Sequence, residues 1–159
     1  MDDLDRRIVQ ALCRNGREKI STIARRLSVP ATTVQERVRR LEGRGVIRGY
    51  RAVVNRRHLG LSVQALVGLV LDRHEANQIR NFEKAVQRVP CIKSCYHVSG
   101  RFDYILHVVA RDLDALGNLV KTQIAALPDF GRCETFIIFS ETESAPALLS
   151  AISAIAPDN

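Results

Sequence analysis

No stretch of the 159-residue chain reaches the roughly 18 consecutive apolar residues of a membrane-spanning helix, so no transmembrane segment is expected. The opening MDDLDRR is acidic and then basic, where a secretory leader would be basic and then apolar, and this predicts a cytoplasmic protein. Cysteine is sparse, and Cys13, Cys91, Cys95 and Cys133 contain no C-x-x-C pair, which argues against a zinc knuckle or a redox dithiol. All four are read as reduced thiols. Cys91 and Cys95 stand close enough in sequence to share a metal or a haem iron, but they are read as small apolar residues opening a strand, and no metal or cofactor is expected. Acidic residues are scarce in the first third: through Gly60 there are 15 Lys and Arg against 6 Asp and Glu, a balance of +9. From Leu61 onward the count is 9 against 11, or −2. Lysine is scarcer still, since 14 of those 15 cations are arginines, the residue that pairs bidentately with phosphates and guanine edges. A polyanion bound by the first third explains this asymmetry better than a solubilising surface does.

What is present is organised around residues 21–50, STIARRLSVPATTVQERVRRLEGRGVIRGY. Val34, Val38 and Leu41 fall at i, i+4 and i+7, which predicts a buried stripe on a helix starting near Ala31. At about 100° per residue Thr32, Glu36, Arg39 and Arg40 point away from that stripe, with Thr33, Gln35 and Arg37 on its flanks. A shorter helix precedes it, with Ser21 placed to accept backbone N–H groups at its start and Ile23, Ala24 and Leu27 turned inward. A tight turn, Ser28 to Ala31, joins the two, and the small Ala24 suits a close crossing. This is the sequence form of a helix-turn-helix whose second helix reads DNA. A plain surface hairpin with a solvated basic face would show the same spacing, but not the same charge asymmetry.

Asp2 or Asp3 can cap a first helix with Leu4, Ile8, Ala11 and Leu12 inward and Asn15-Gly16 at its end. After the reader helix Gly43 and Gly45 break the pattern, and Val46, Ile47, Tyr50, Ala52 and Val54 predict a short wing or hinge strand. In the connector NRRHLG, residues 55–60, Arg56, Arg57 and His58 either touch the sugar-phosphate backbone or are simply solvated, and the solvated reading is preferred. Base contacts are expected from Thr32, Thr33, Gln35, Glu36 and Arg39, and phosphate contacts from Ser21, Arg37, Arg40, Arg44, Arg48 and Arg51.

The remainder reads as strand 62–71, helix 75–89, strand 92–99, a turn at Gly100, strand 104–110, helix 113–127 capped by Asp112 and ended by Pro128, and strand 132–141. That βαββαβ order predicts an α+β, ferredoxin-like antiparallel sheet with both helices on one face. In SVQALVGLVL both the Val63, Ala65, Val67, Leu69, Leu71 set and the opposite Leu66 and Val70 are apolar, and in TFIIF both faces are apolar too. A wet second face would expose hundreds of Å² of apolar surface, so a partner sheet is expected, giving a two-fold dimer with two reader helices. The expected domains are thus 1–45, the helix-turn-helix; 46–60, wing or hinge and linker; 61–144, the sheet module for effector binding and oligomerisation; and a 145–159 tail apolar enough for a short helix.

The stretches LDRRIVQALCRNGR, ERVRRLEGRGVIRGYRAVVN and HVSGRFDYILHV together resemble the Lrp/AsnC (feast/famine) family of transcription regulators, and the resemblance covers nearly the whole chain. It implies a winged helix-turn-helix, a hinge strand, a C-terminal module for regulation by amino acid metabolism, and dimers that assemble into tetramers, octamers or larger rings around DNA. It further implies an effector pocket at the G-x-x-D loop, matched by Gly100 and Asp103. Read from the residues alone, Gly100 permits a tight hairpin and Asp103 can bond loop N–H groups. A free amino acid there would set its ammonium on Asp103 and its carboxylate near Arg101. Two positions depart from the family pattern: Pro30 stands where a capping serine is usual, and Cys133 stands for the first of two pocket threonines, with Thr135 keeping the second. The expected function is a sequence-specific DNA-binding regulator modulated by a small metabolite, and no catalysis. Two other readings stay open: an enzyme like the siroheme decarboxylases, which resemble this fold, with His97 and His107 near a tetrapyrrole, and a nucleoid-type protein with little sequence preference.

Overall fold

The computed structural model describes residues 1–73 and 75–142. The chain divides at Val53/Val54 into two units. In the first, helices α1 (Asp3–Arg14), α2 (Ile20–Leu27) and α3 (Ala31–Gly43) surround a core of Ile8, Ala11, Ile23, Ala24, Val34, Val38 and Leu41. Val34 and Leu41 are fully buried and Val38 nearly so, as the i, i+4, i+7 spacing predicts. Asp2 caps α1 in a reciprocal box: its carboxylate accepts from the Asp5 N–H at 2.8 Å, and Asp5 accepts from the Asp2 N–H. Ser28 adopts a left-handed conformation at the end of α2, which lets the chain reverse into Pro30 and α3.

Two expectations about this unit are corrected. Ser21 does not cap α2; the cap lies two residues earlier, at Lys19, and no side chain caps the helix. The earlier start brings Ile20 onto the helix, one turn before Ile23 and Ala24, where it packs against the same core. Pro30 likewise caps α3 without a side-chain acceptor. The second correction is that residues 46–54 form no strand. An extended segment becomes a strand only beside a partner backbone. Instead Ile47 inserts into the helical core, and the Tyr50 hydroxyl donates to Glu42 Oε1 at 3.0 Å while its ring lies against Gly16.

The second unit is a four-stranded antiparallel sheet in the order β2-β3-β1-β4, with β1 (Val63–Leu71), β2 (Ile92–His97), β3 (Tyr104–Ala110) and β4 (Phe130–Ile137). Helices α4 (Ala76–Val86) and α5 (Leu113–Leu119), the latter continued by a π-helical turn Val120–Ile124, supply Phe82, Val86, Leu116, Leu119 and Ile124 to one core. From the sheet come Ala65, Val67, Leu69, Leu71, Tyr104, Leu106, Val108 and Ala110, the alternate residues of β1 and β3. Asp112 caps α5, accepting from the Ala115 N–H at 2.7 Å. The last helix is shorter than expected because the π turn widens its final stretch, and β4 lies earlier than expected, pairing Leu71 with Phe130 across an irregularity. The expected tail helix, 145–159, lies outside the described residues.

The sheet's other face is not bare within one chain. Phe102, from the β2–β3 hairpin, is only 8% exposed, and its ring lies on Gly68, where a Cβ would meet three ring atoms at 2.8 Å. Phe136 meets that ring edge-on at 6.1 Å. The Arg101 guanidinium stacks 4.6 Å from the Phe102 ring and binds Glu134 at 3.0 Å. Gly68→Ala is therefore expected to destabilise this unit by about 1 to 2 kcal/mol, because backbone in mid-sheet cannot retreat and Phe102 must leave its seat. A urea midpoint equal to the parent's would show that the ring is not packed there. Around Phe102 the helix-free face still carries Leu66, Val70, Ile105 and Val109, each half-buried, and Phe136, 42% exposed.

Candidate nucleic-acid interface

On α3 the buried stripe fixes which side chains face outward. Thr32, Gln35, Glu36 and Arg39 are exposed and Thr33 is half-buried at the flank, so the five residues expected to read bases form one available surface. Arg44 is exposed as the C-cap of α3, and Arg48, Arg51 and Ser21 are exposed as well. No helix among the described residues is long and apolar enough to cross a membrane.

Arg37 and Arg40 are placed differently. Both turn toward α1, where the Asp5 carboxylate is 1% exposed. Arg37 donates to Asp5 Oδ1 at 3.0 Å and also to Asp2; Arg40 Nη2 donates to both Asp5 oxygens, at 3.0 and 2.9 Å. Burial acts to raise the Asp5 carboxyl pKa, but the bonds from Arg37 and from the Asp2 backbone overcome it and hold the group below the ordinary aspartate value. Two of the five arginines expected to grip phosphate are thus already bound by carboxylates of their own chain. Sequence reading missed Asp5, although its place three residues after an N-capping aspartate was a visible signal.

At the hairpin, Gly100 has φ +143°, a left-handed value that glycine tolerates. The Asp103 carboxylate accepts from the Leu71 N–H at 2.8 Å, and the Asp103 N–H donates to the Leu69 carbonyl at 2.8 Å, tying the loop to the end of β1. The five expected effector residues do not converge in a single chain. Cys133 and Thr135 pair with Leu69 and Val67 and so share the helix-bearing side, whereas the Arg101 head lies with Phe102 and Glu134 on the opposite side. Burial raises the pKa of the Cys133 thiol, which keeps it protonated.

The two histidines of the tetrapyrrole reading also separate. His97 stacks on Tyr104 at 4.8 Å on the helix-bearing side, while His107, an odd position of β3, points the other way and bonds Gln64 at 2.8 Å. Within one chain they do not face a common site. Beneath His97, Tyr104 donates to Glu83 at 3.0 Å, and burial together with that carboxylate pushes the Tyr104 pKa up to about 12. Burial and Glu83 likewise push the Cys95 thiol up to about 11, so it is no nucleophile near neutral pH.

Comparison with known proteins agrees with this division. Residues 1–42 match the AsnC-type helix-turn-helix domain and residues 64–148 the Lrp/AsnC ligand binding domain. The leucine-responsive regulatory protein of Klebsiella pneumoniae is 32% identical over 149 residues, covering 94% of this chain and 91% of that protein. Among solved structures, the feast or famine regulatory protein from M. tuberculosis complexed with L-methionine superposes with a TM-score of 0.83 at 32% identity, covering 91% of this chain and 96% of that one. E. coli AsnC does so with a TM-score of 0.81 at 25% identity, over 91% and 96% of the two chains. With its arginine-bearing reader helix in one unit and its βαββαβ sheet in the other, the chain belongs to the Lrp/AsnC family and is a transcriptional regulator.

Proposed function

We propose that this regulator recognises a specific duplex sequence through α3, as a cytoplasmic homodimer or higher oligomer, and that an amino acid bound at the sheet module modulates its DNA binding or assembly. The observation that carries the reading is the geometry of α3: Val34, Val38 and Leu41 are buried, which leaves Thr32, Thr33, Gln35, Glu36 and Arg39 as a polar reading edge. Ser21, Arg44, Arg48 and Arg51 supply phosphate contacts beside it. Arg37 and Arg40 are less available to those phosphates, because each is bound to the Asp5 carboxylate.

The effector half rests on the M. tuberculosis relative, which holds L-methionine. Gly100, Arg101, Asp103, Cys133 and Thr135 are the residues offered for it here, and because one chain divides them between two sheet faces, a second copy completes the pocket. The half-exposed apolar face around Leu66, Val70 and Phe136 supplies a surface for that copy. The test is thermal unfolding against each of the twenty amino acids. An effector at 100 times its dissociation constant should add about 2.7 kcal/mol to the stability of the module that binds it. A flat profile across all twenty would remove amino acids as the effector class.

A further inference from the structure

We propose that Asp5 is a specificity-determining residue of DNA recognition, a buried carboxylate on α1 that holds Arg37 and Arg40 of α3 and so withholds them from indiscriminate phosphate binding. The inference rests on α3 being a DNA-reading helix. Asp5 and Gln64 are the polar side chains buried among the described residues, and of the two only Asp5 carries a charge. Removing a carboxylate from water is costly unless it is paired and hydrogen-bonded. Capping α1 does not require that burial, since a solvent-exposed carboxylate at the same position would serve. The cap takes only one long bond from Asp5, 3.3 Å from the Asp2 N–H to Oδ2. Its shorter bonds, at 2.9 to 3.0 Å, all go to the two arginines, more than 30 residues away in sequence.

The effect on the interface is electrostatic. Asp2, Asp5, Arg37 and Arg40 form a cluster of zero net charge on the flank of α3 that faces α1. Arg39, Arg44, Arg48 and Arg51, by contrast, make no ion pair among the described residues. Each arginine free to meet a phosphate adds about 0.9 to the slope of log K against log salt, and the gain is largest on non-specific sequence, where no base contacts fix the register of α3 and the helix can shift until both arginines reach phosphates. Specificity is the ratio of two affinities, so restraining two such arginines lowers the denominator while the reading edge sets the numerator.

The experiment compares the full chain with Asp5→Asn on two duplexes: a random-sequence 30-mer, and one enriched from a random pool by the parent protein. Asparagine keeps the size and a capping oxygen and removes the charge. Asp5→Asn is expected to bind the random duplex about 5-fold or more tightly at roughly 0.1 M salt, with a salt slope steeper by about one to two. Its preference for the enriched duplex should fall by about 10-fold. Asp5→Glu, which restores the charge, should return the slope toward that of the parent. Should Asp5→Asn fail to fold, Arg40→Gln serves instead: it leaves Asp5 bound by Arg37, and a pinned arginine adds no phosphate contact, so its random-duplex slope should equal the parent's. A folded Asp5→Asn with unchanged slope, equal losses on both duplexes, or a slope reduced by about one in Arg40→Gln each overturns the inference while parental DNA binding stands. A parent that binds no duplex overturns the DNA-binding reading and this inference with it.

Discussion

Leu41→Ala is expected to cost the N-terminal unit about 2 to 5 kcal/mol and to abolish DNA binding at 37 °C. Leu41 is fully buried, and its carbonyl also accepts from the N–H groups of Val46 and Ile47, at 2.9 and 3.2 Å, as the chain leaves α3. Truncation opens a cavity between α1, α2 and α3, and so small a core has little stability in reserve. The sheet module has a core of its own, from Ala65 to Leu127, and should unfold at its usual temperature. Circular dichroism should therefore show an early helical transition split from an unmoved later one. A single unshifted transition would place Leu41 outside the core.

Arg39→Ala is the second large effect. Arg39 is exposed on the edge of α3 opposite the buried stripe and makes no ion pair among the described residues, so its five N–H donors are available to a base edge. Loss of a bidentate contact to guanine costs about 1 to 3 kcal/mol, roughly 5- to 150-fold in affinity, and relaxes preference at one position of the site. Arg44→Ala, at the end of the same helix, should weaken all sequences alike and flatten the salt slope by about one. If Arg39→Ala leaves binding to a preferred duplex untouched while Arg44→Ala behaves as stated, Arg39 is not a base reader and the task falls to Thr32, Thr33, Gln35 and Glu36.

Periodicity made the helical core legible. Val34, Val38 and Leu41 were placed by spacing alone, and the βαββαβ order followed from runs whose period switches from 2 to 3.6. Local chemistry placed the Asp2 and Asp112 caps. Ser21 misled because side-chain capping is worth only about 1 kcal/mol, no more than packing Ile20 against the core contributes. The absent strand at 46–54 misled for a different reason: β-forming residues signal extension but not a partner. The Asp5 clamp joins residues 32 and 35 positions apart, and no local window contains both ends. Gly68 did carry a signal, since a glycine amid the apolar run of β1 marks a close approach, but only the fold shows that Phe102 makes it. The effector residues were legible as a list and not as a pocket, because alternation along β4 sends Cys133 and Thr135 to one face and Glu134, the partner of Arg101, to the other.

Competition between the enriched duplex and bulk DNA at about 0.15 M salt tests most directly whether α3 reads sequence. A DNA-reading helix held in paired copies predicts a preference of at least about 10³ that persists as salt is raised. A preference near one, with affinity that simply vanishes with salt, would mean that the arginines bind phosphate and α3 reads nothing.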